Sequence, residues 1–196
     1  RAVPPDGAAT FNTPAGTLSL GGNVAGAASL IKAGAGGLTL TGVASHTGGT
    51  TVNAGTLTLT GNNTYTGGNF LNGGVLQAAT DASLGNAANA LAINGGILSA
   101  TASFATARSI GLGASGGGLS ALNAGTTLTV NGVVSGPGAL TVTGGGSVTL
   151  TGANTYAGGT VVGRGGADNS GMLLVSADNN LGAAAGSVTL NGSNTR

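Results

Sequence analysis

His46 and four aspartates, Asp6, Asp81, Asp168 and Asp178, are the side chains of this 196-residue chain that could trade a proton near neutral pH, since glutamate and cysteine are absent. A glycosidase needs two carboxylates facing each other across a sugar, and a calcium-assisted lyase needs a carboxylate cluster. These aspartates are scattered instead. Asp6 lies beside a Pro-Pro pair, Asp168 lies in a six-residue insertion, and Asp81 and Asp178 hold the same position of a segment that recurs 97 residues apart. That shared position predicts a turn or short-helix cap whose carboxylate accepts backbone N–H groups. His46 stands where two related stretches carry Tyr65 and Tyr156, so it reads as a ring filling a turn pocket rather than as a base or ligand. Gly111 to Gly116 spells G-x-G-x-x-G, but no helix pattern follows and no acidic residue stands about 20 positions on, as dinucleotide binding requires. Asn62-Asn63-Thr64 fits a glycosylation triplet, one that chance supplies often in a chain rich in Asn and Thr. The remaining chemistry is hydroxyl: Thr39/Thr41, Thr58/Thr60 and Thr149/Thr151 would form outward rows of the kind an ice-binding face needs. Those rows break at Gln77, Ser99 and Ala121, and threonine is the ordinary residue of an exposed strand face. No metal ligand set, cofactor motif or catalytic constellation emerges.

Only 5% of the residues are charged and the net charge is +1, so there is no field to steer nucleic acid or an anionic membrane. No apolar run of about 18 residues is present to insert into a membrane as a helix. Forty-two glycines would suit a disordered chain, yet disorder goes with low hydrophobicity and high net charge, and apolar residues make up 40% here. The absence of cysteine fits a chain that stays unfolded while crossing an oxidising compartment. Residues 1–16, opening RAVPPDGAA, read as a linker or irregular boundary, with 17–196 as one repeat domain cut from a longer polypeptide.

What positions these residues is a repeat. Residues 37–57 (GLTLTGVASHTGGTTVNAGTL) and 55–76 (GTLTLTGNNTYTGGNFLNGGVL) superpose without a gap at an offset of 19, matching Leu38 with Leu57, Gly42 with Gly61, His46 with Tyr65 and Gly48-Gly49 with Gly67-Gly68. A period near 20 marks a solenoid whose units are each too small to bury their own apolar face. Within a unit, Leu-Thr-Leu-Thr-Gly alternates apolar and hydroxyl residues, which predicts a strand with leucine inward and threonine outward. A second strand follows the Gly-Gly corner and ends near Val52. An offset of 110 lays Leu18, Leu30, Leu38 and Gly48-Gly49 on Leu128, Leu140, Val148 and Gly158-Gly159, so a larger duplication encloses the smaller one. Coils of roughly 19–22 residues make about nine, a rod near 45 Å long at about 4.8 Å per stacked strand. Against residues 50–59, the stretch 160–175 carries extra residues around Arg164 and Asp168, a candidate surface loop at 164–170.

GSVTLTGANTYAGGTVVG at 146–163 and GTLTLTGNNTYTGGNFLNGGVL at 55–76 resemble the autotransporter-associated β-strand repeat, also called the passenger-associated transport repeat. The resemblance rests on Gly61, Tyr65, Gly67 and Gly68 in one copy and on Gly152, Asn154, Tyr156, Gly158 and Gly159 in the other. A weaker copy holds Gly42, Gly48 and Gly49 but has Ala44 and His46 in the Asn and Tyr places. The resemblance implies an all-β, right-handed parallel β-helix inside a type V secretion passenger, displayed at the cell surface of a Gram-negative bacterium or secreted. It implies a C-terminal β-barrel translocator on the same polypeptide as partner. It further implies a stalk and folding role in export rather than catalysis. An adhesin that binds a host surface or glycan through exposed faces and the 164–170 loop is the alternative, with a β-helical polysaccharide-degrading enzyme behind it.

Overall fold

The computed structural model describes residues 7–163 and 171–191; the 164–170 stretch, with Arg164 and Asp168, lies outside them. Leucine and glycine dictate the architecture. Each Leu-x-Leu run is too short to fold alone and turns back at glycine, so successive runs stack with their leucines in one column. The result is a parallel β-solenoid of about eight turns.

Three sheets, all with parallel pairing, form its sides. The first has seven strands: Ala9–Asn12, Leu30–Ala33, Thr50–Val52, Asn69–Leu71, Leu91–Ile93, Ile110–Leu112 and Val134–Ser135. The second has nine: Thr17–Leu20, Gly37–Leu40, Thr56–Leu59, Val75–Ala78, Ile97–Ala100, Gly117–Ala121, Leu140–Thr143, Thr160–Val162 and Val188–Leu190. The third has four: Phe104–Thr106, Thr127–Val130, Ser147–Leu150 and Met172–Val175. In the early coils the third side is only an arc, marked by an isolated Val24–Ala44 bridge and then by the 3-10 turn Asp81–Leu84, which packs against the first strand of the third sheet. The solenoid starts earlier than residue 17, because Ala9–Asn12 pairs with Leu30–Ala33 inside the stretch read as a linker.

The leucine-inward alternation is as expected. Leu38, Leu57, Leu76, Leu98, Leu119, Val142 and Val162 form one register column, and its members from Leu38 to Val142 are fully enclosed. The facing threonines Thr39 and Thr58 are half-buried. Each enclosed leucine contributes about 2 kcal/mol of burial.

The duplicated sequence words do not stay on one side. Leu38 to Leu57 and Leu57 to Leu76 each take 19 residues, but the steps from Leu76 to Leu98, Leu119 and Val142 take 22, 21 and 23. Five steps thus carry Leu38 to Val142, 104 residues on, while the matching word at offset 110 arrives six residues later. Val148 therefore lies in the third sheet, and Leu140 lies in the second although its sequence match, Leu30, lies in the first. Thr149 accordingly does not continue the row of Thr39 and Thr58, as the sequence suggested. That row runs on to Gln77, Ser99 and Ser120, with Ala121 pointing inward.

Candidate functional site: the asparagine and tyrosine corner

The motif residues meet at a corner between strands. Asn63 is buried there, and its amide spans three coils: Oδ1 accepts from the Ala44 N–H below at 2.8 Å, and Nδ2 donates to the Ser83 carbonyl above at 2.8 Å. Asn154 repeats this on another side of the rod, accepting from Val134 N–H at 2.7 Å and donating to the Asn180 carbonyl at 2.6 Å. Only a side-chain amide offers an acceptor and a donor in opposite directions at this size, which is why the repeat carries Asn rather than Asp. Asn63 is thus a structural suture, with its Nδ2 committed and enclosed.

The ring two residues on fills the corner. Tyr65 and Tyr156 are wholly enclosed, and each hydroxyl meets the side chain four residues later, Asn69 Oδ1 at 2.6 Å and Thr160 Oγ1 at 2.6 Å. Burial pushes both phenols above their ordinary range. His46 takes the same place, as the sequence predicts: it stacks on Tyr65 with ring centroids 4.8 Å apart and planes 6° from parallel. Its Nε2 lies 3.1 Å from the Gly49 carbonyl and 3.1 Å from Thr50 Oγ1. A carbonyl only accepts, so Nε2 carries the proton, and the enclosed Nδ1 has no hydrogen-bond partner. Desolvation therefore lowers the imidazole pKa, partly offset by the Gly49 bond.

A coil ending in a 3-10 turn closes each tyrosine corner. Asp81–Leu84 lies over Asn63 and Tyr65, and Asp178–Leu181 lies over Asn154 and Tyr156. The turns are 97 residues apart and the tyrosines 91. The difference of six residues matches the insertion after Gly163. The shared aspartate does begin a short helix, but the expected capping role is corrected at Asp81: Thr80 Oγ1 accepts from Ser83 N–H, and the Asp81 carboxylate instead holds Arg108 at 2.8 Å. In the second turn Asn180 Oδ1 accepts from the Ala177 N–H at 2.9 Å.

The Gly-Gly pairs allow the coils to close up. A Cβ on Gly48 or Gly158 would fall on the backbone of the coil below, at Ala28–Ser29 and Gly138–Ala139 respectively, and Gly49, Gly68 and Gly159 have φ of 84°, 86° and 80°, where a side chain is strained. Gly67 meets both demands, with φ of 85° and Gly49 directly against it. Gly42, Gly61 and Gly152 form a similar close approach at the end of the Leu-Thr strand, each against the backbone of the coil beneath.

Two buried cations have no place in the sequence-based account. Arg108 is almost fully enclosed, and besides Asp81 its guanidinium donates to the carbonyls of Asp81, Gly85, Asn86 and Asn89, filling the concave side of the turn above Tyr65. Lys32, wholly enclosed, donates to the carbonyls of Ala33, Gly34 and Ala54 at 2.7, 2.7 and 3.2 Å, and burial lowers its pKa. Strand alternation could have found Lys32, since in Leu30-Ile31-Lys32 the inward positions are the first and third. Among the described residues no group of His, Cys, Asp or Glu could hold a metal ion. Gly111–Gly116 runs from a strand into a turn and back to a strand, with no helix following. No described helix is long and apolar enough to cross a membrane.

Residues 30–58, 54–78 and 140–167 match the passenger-associated-transport-repeat family model. The Adhesin BmaC autotransporter of Brucella suis biovar 1 (strain 1330) is 37% identical over 121 residues, 62% of this chain and 3% of that protein. No solved structure matches significantly. Each matched segment holds one ring corner, at His46, Tyr65 or Tyr156, so the chain is a parallel β-solenoid that carries the passenger-associated-transport repeat three times.

Proposed function

We propose that this chain is a stalk and folding segment of an autotransporter passenger, without enzymatic activity, that promotes its own export and displays other regions at the cell surface. The observation that carries this is the corner asparagine, which bonds to the coil before and the coil after in both complete copies of the motif. A coil emerging from a β-barrel translocator of the same polypeptide can dock on the coil already folded, bury its leucines and become unable to slide back. No nucleotide supply is needed for that step. Leu59 and Leu150 face the core, and Thr58 and Thr149 face outward one residue away. Leu59→Asp or Leu150→Asp is therefore expected to lower surface display of the full-length protein, and Thr58→Asp or Thr149→Asp to leave it unchanged. Surface proteolysis, with barrel assembly checked separately, reads the result; equal export of the inward and outward variants sinks the proposal.

A second reading is that of an adhesin that binds a host surface or glycan, supported by the relative's name. The 164–170 stretch, the other support the sequence suggested for it, lies outside the described residues. Deleting 164–169 is expected to change stability by less than about 1 kcal/mol. Loss of cell or glycan binding in that variant would favour the adhesin.

A further inference from the structure

We infer that Asn131 is a self-modification site, at which the chain converts its own side-chain amide to a carboxylate with water as the only co-reactant. The inference goes beyond both functional readings and depends on neither. Leu128 to Gly132 spells Leu-Thr-Val-Asn-Gly, so Asn131 stands where the repeat word carries Thr41, Thr60 and Thr151. Stacking compels the glycine after it, since a Cβ on Gly132 would fall on the Arg108 carbonyl of the coil below. Glycine in that place leaves the amide nitrogen next to the asparagine unshielded by any side chain.

The step is an intramolecular acyl transfer. The Gly132 nitrogen gives its proton to water or hydroxide and bonds to Asn131 Cγ; the Cγ–Nδ2 bond breaks, ammonia leaves and a five-membered imide remains. Water then opens the imide at one of its two carbonyls, leaving aspartate or isoaspartate. The attacking nitrogen must be free to turn toward Cγ, and this requirement separates three Asn-Gly pairs that the sequence alone makes equal. At Asn72 the Gly73 N–H donates to the Val52 carbonyl at 3.3 Å, and Asn72 Nδ2 donates to Asn53 Oδ1 at 3.0 Å. At Asn94 the Gly95 N–H donates to the Gly116 carbonyl at 2.7 Å, and Asn94 Oδ1 accepts from the Ser115 N–H at 2.9 Å. The Gly132 N–H has no hydrogen-bond partner among the described residues, and Asn131 is exposed. The Thr151 hydroxyl donates to Asn131 Oδ1 at 2.8 Å, a rotatable donor at the oxygen on which negative charge develops as the nitrogen adds. The product cancels the net charge of +1, and its isoaspartate form lengthens the main chain beside the close approach of Gly132 to Arg108.

The test is ageing of the whole chain at mildly alkaline pH, folded and in concentrated urea, with the amide-to-acid mass gain located by peptide fragmentation that tells aspartate from isoaspartate. In urea the pairs at Asn72, Asn94 and Asn131 should react at similar rates. In the folded chain Asn131 should stay within about threefold of its urea rate, while Asn72 and Asn94 slow by about tenfold or more. Thr151→Val should slow the folded reaction at Asn131 about fivefold through loss of one hydrogen bond, and Thr151→Ser should restore it. Asn131→Thr, which returns the repeat's own residue, should abolish the modification there. Circular dichroism of each variant checks folding. Folded Asn131 protected as strongly as Asn72 and Asn94, or reacting more slowly than either, overturns the proposal; an unchanged or faster rate in folded Thr151→Val overturns the role of Thr151.

Discussion

His46 shows what the corner asks of a ring. It stacks as tyrosine would but leaves Nδ1 enclosed and unpartnered, whereas Tyr156 in the same place delivers its hydroxyl to Thr160. Thr50 stands four residues after His46 just as Thr160 follows Tyr156, so His46→Tyr should restore the pair and stabilise the chain by about 1–3 kcal/mol. The pH response has a definite sign. The folded pKa lies below the unfolded value of about 6.5, so the unfolded chain takes up the proton first, and stability present above that pH is lost as pH falls below it. His46 is the only histidine, so chemical denaturation between pH 7.5 and 5 should show the loss in the parent chain and a flat profile in His46→Tyr. Asn63→Leu should cost about 2–4 kcal/mol, since it strands the Ala44 N–H and the Ser83 carbonyl together.

At the level of strands and turns, the part of the fold legible in the sequence was the part written as periodicity. Leu38, Leu57 and Leu76 face inward because strand alternation and a 19-residue repeat both say so. The ring place of His46 and the turn place of Asp81 followed from alignment of the copies. Arg108 was not legible, because nothing local marks an arginine as buried; its partners Asp81, Gly85, Asn86 and Asn89 lie 19–27 residues away and come together only when the coil closes. Arg108→Met should therefore cost about 3–5 kcal/mol by leaving Asp81 and several carbonyls unpaired. Hydrogen exchange should show the loss first at the amides of Ser83, Asn86 and Asn89, while those of the Thr56–Leu59 strand stay protected.

For the rod as a whole, coil length decides which deletions it can absorb. Removing residues 42–60 excises one 19-residue step and brings Gly61 to the place of Gly42, so a shorter β-rod with unchanged cooperativity per coil is expected by circular dichroism and chemical denaturation. Removing the same number of residues at 79–97 leaves three residues over from a 22-residue step, turns the following strand to its wrong face, and should yield an unfolded or aggregated chain. The same longer steps made the offset of 110 misleading as a guide to position, since sequence identity records descent and stacking records length. Because the Leu-Thr word moves from the second sheet to the third between Leu38 and Val148, copies counted along the gene are not copies counted along a face. A partner that reads identical rungs meets a short run and then a different chemistry. Lengthening such a rod by further repeats would extend its reach without raising its valency toward any one partner in proportion.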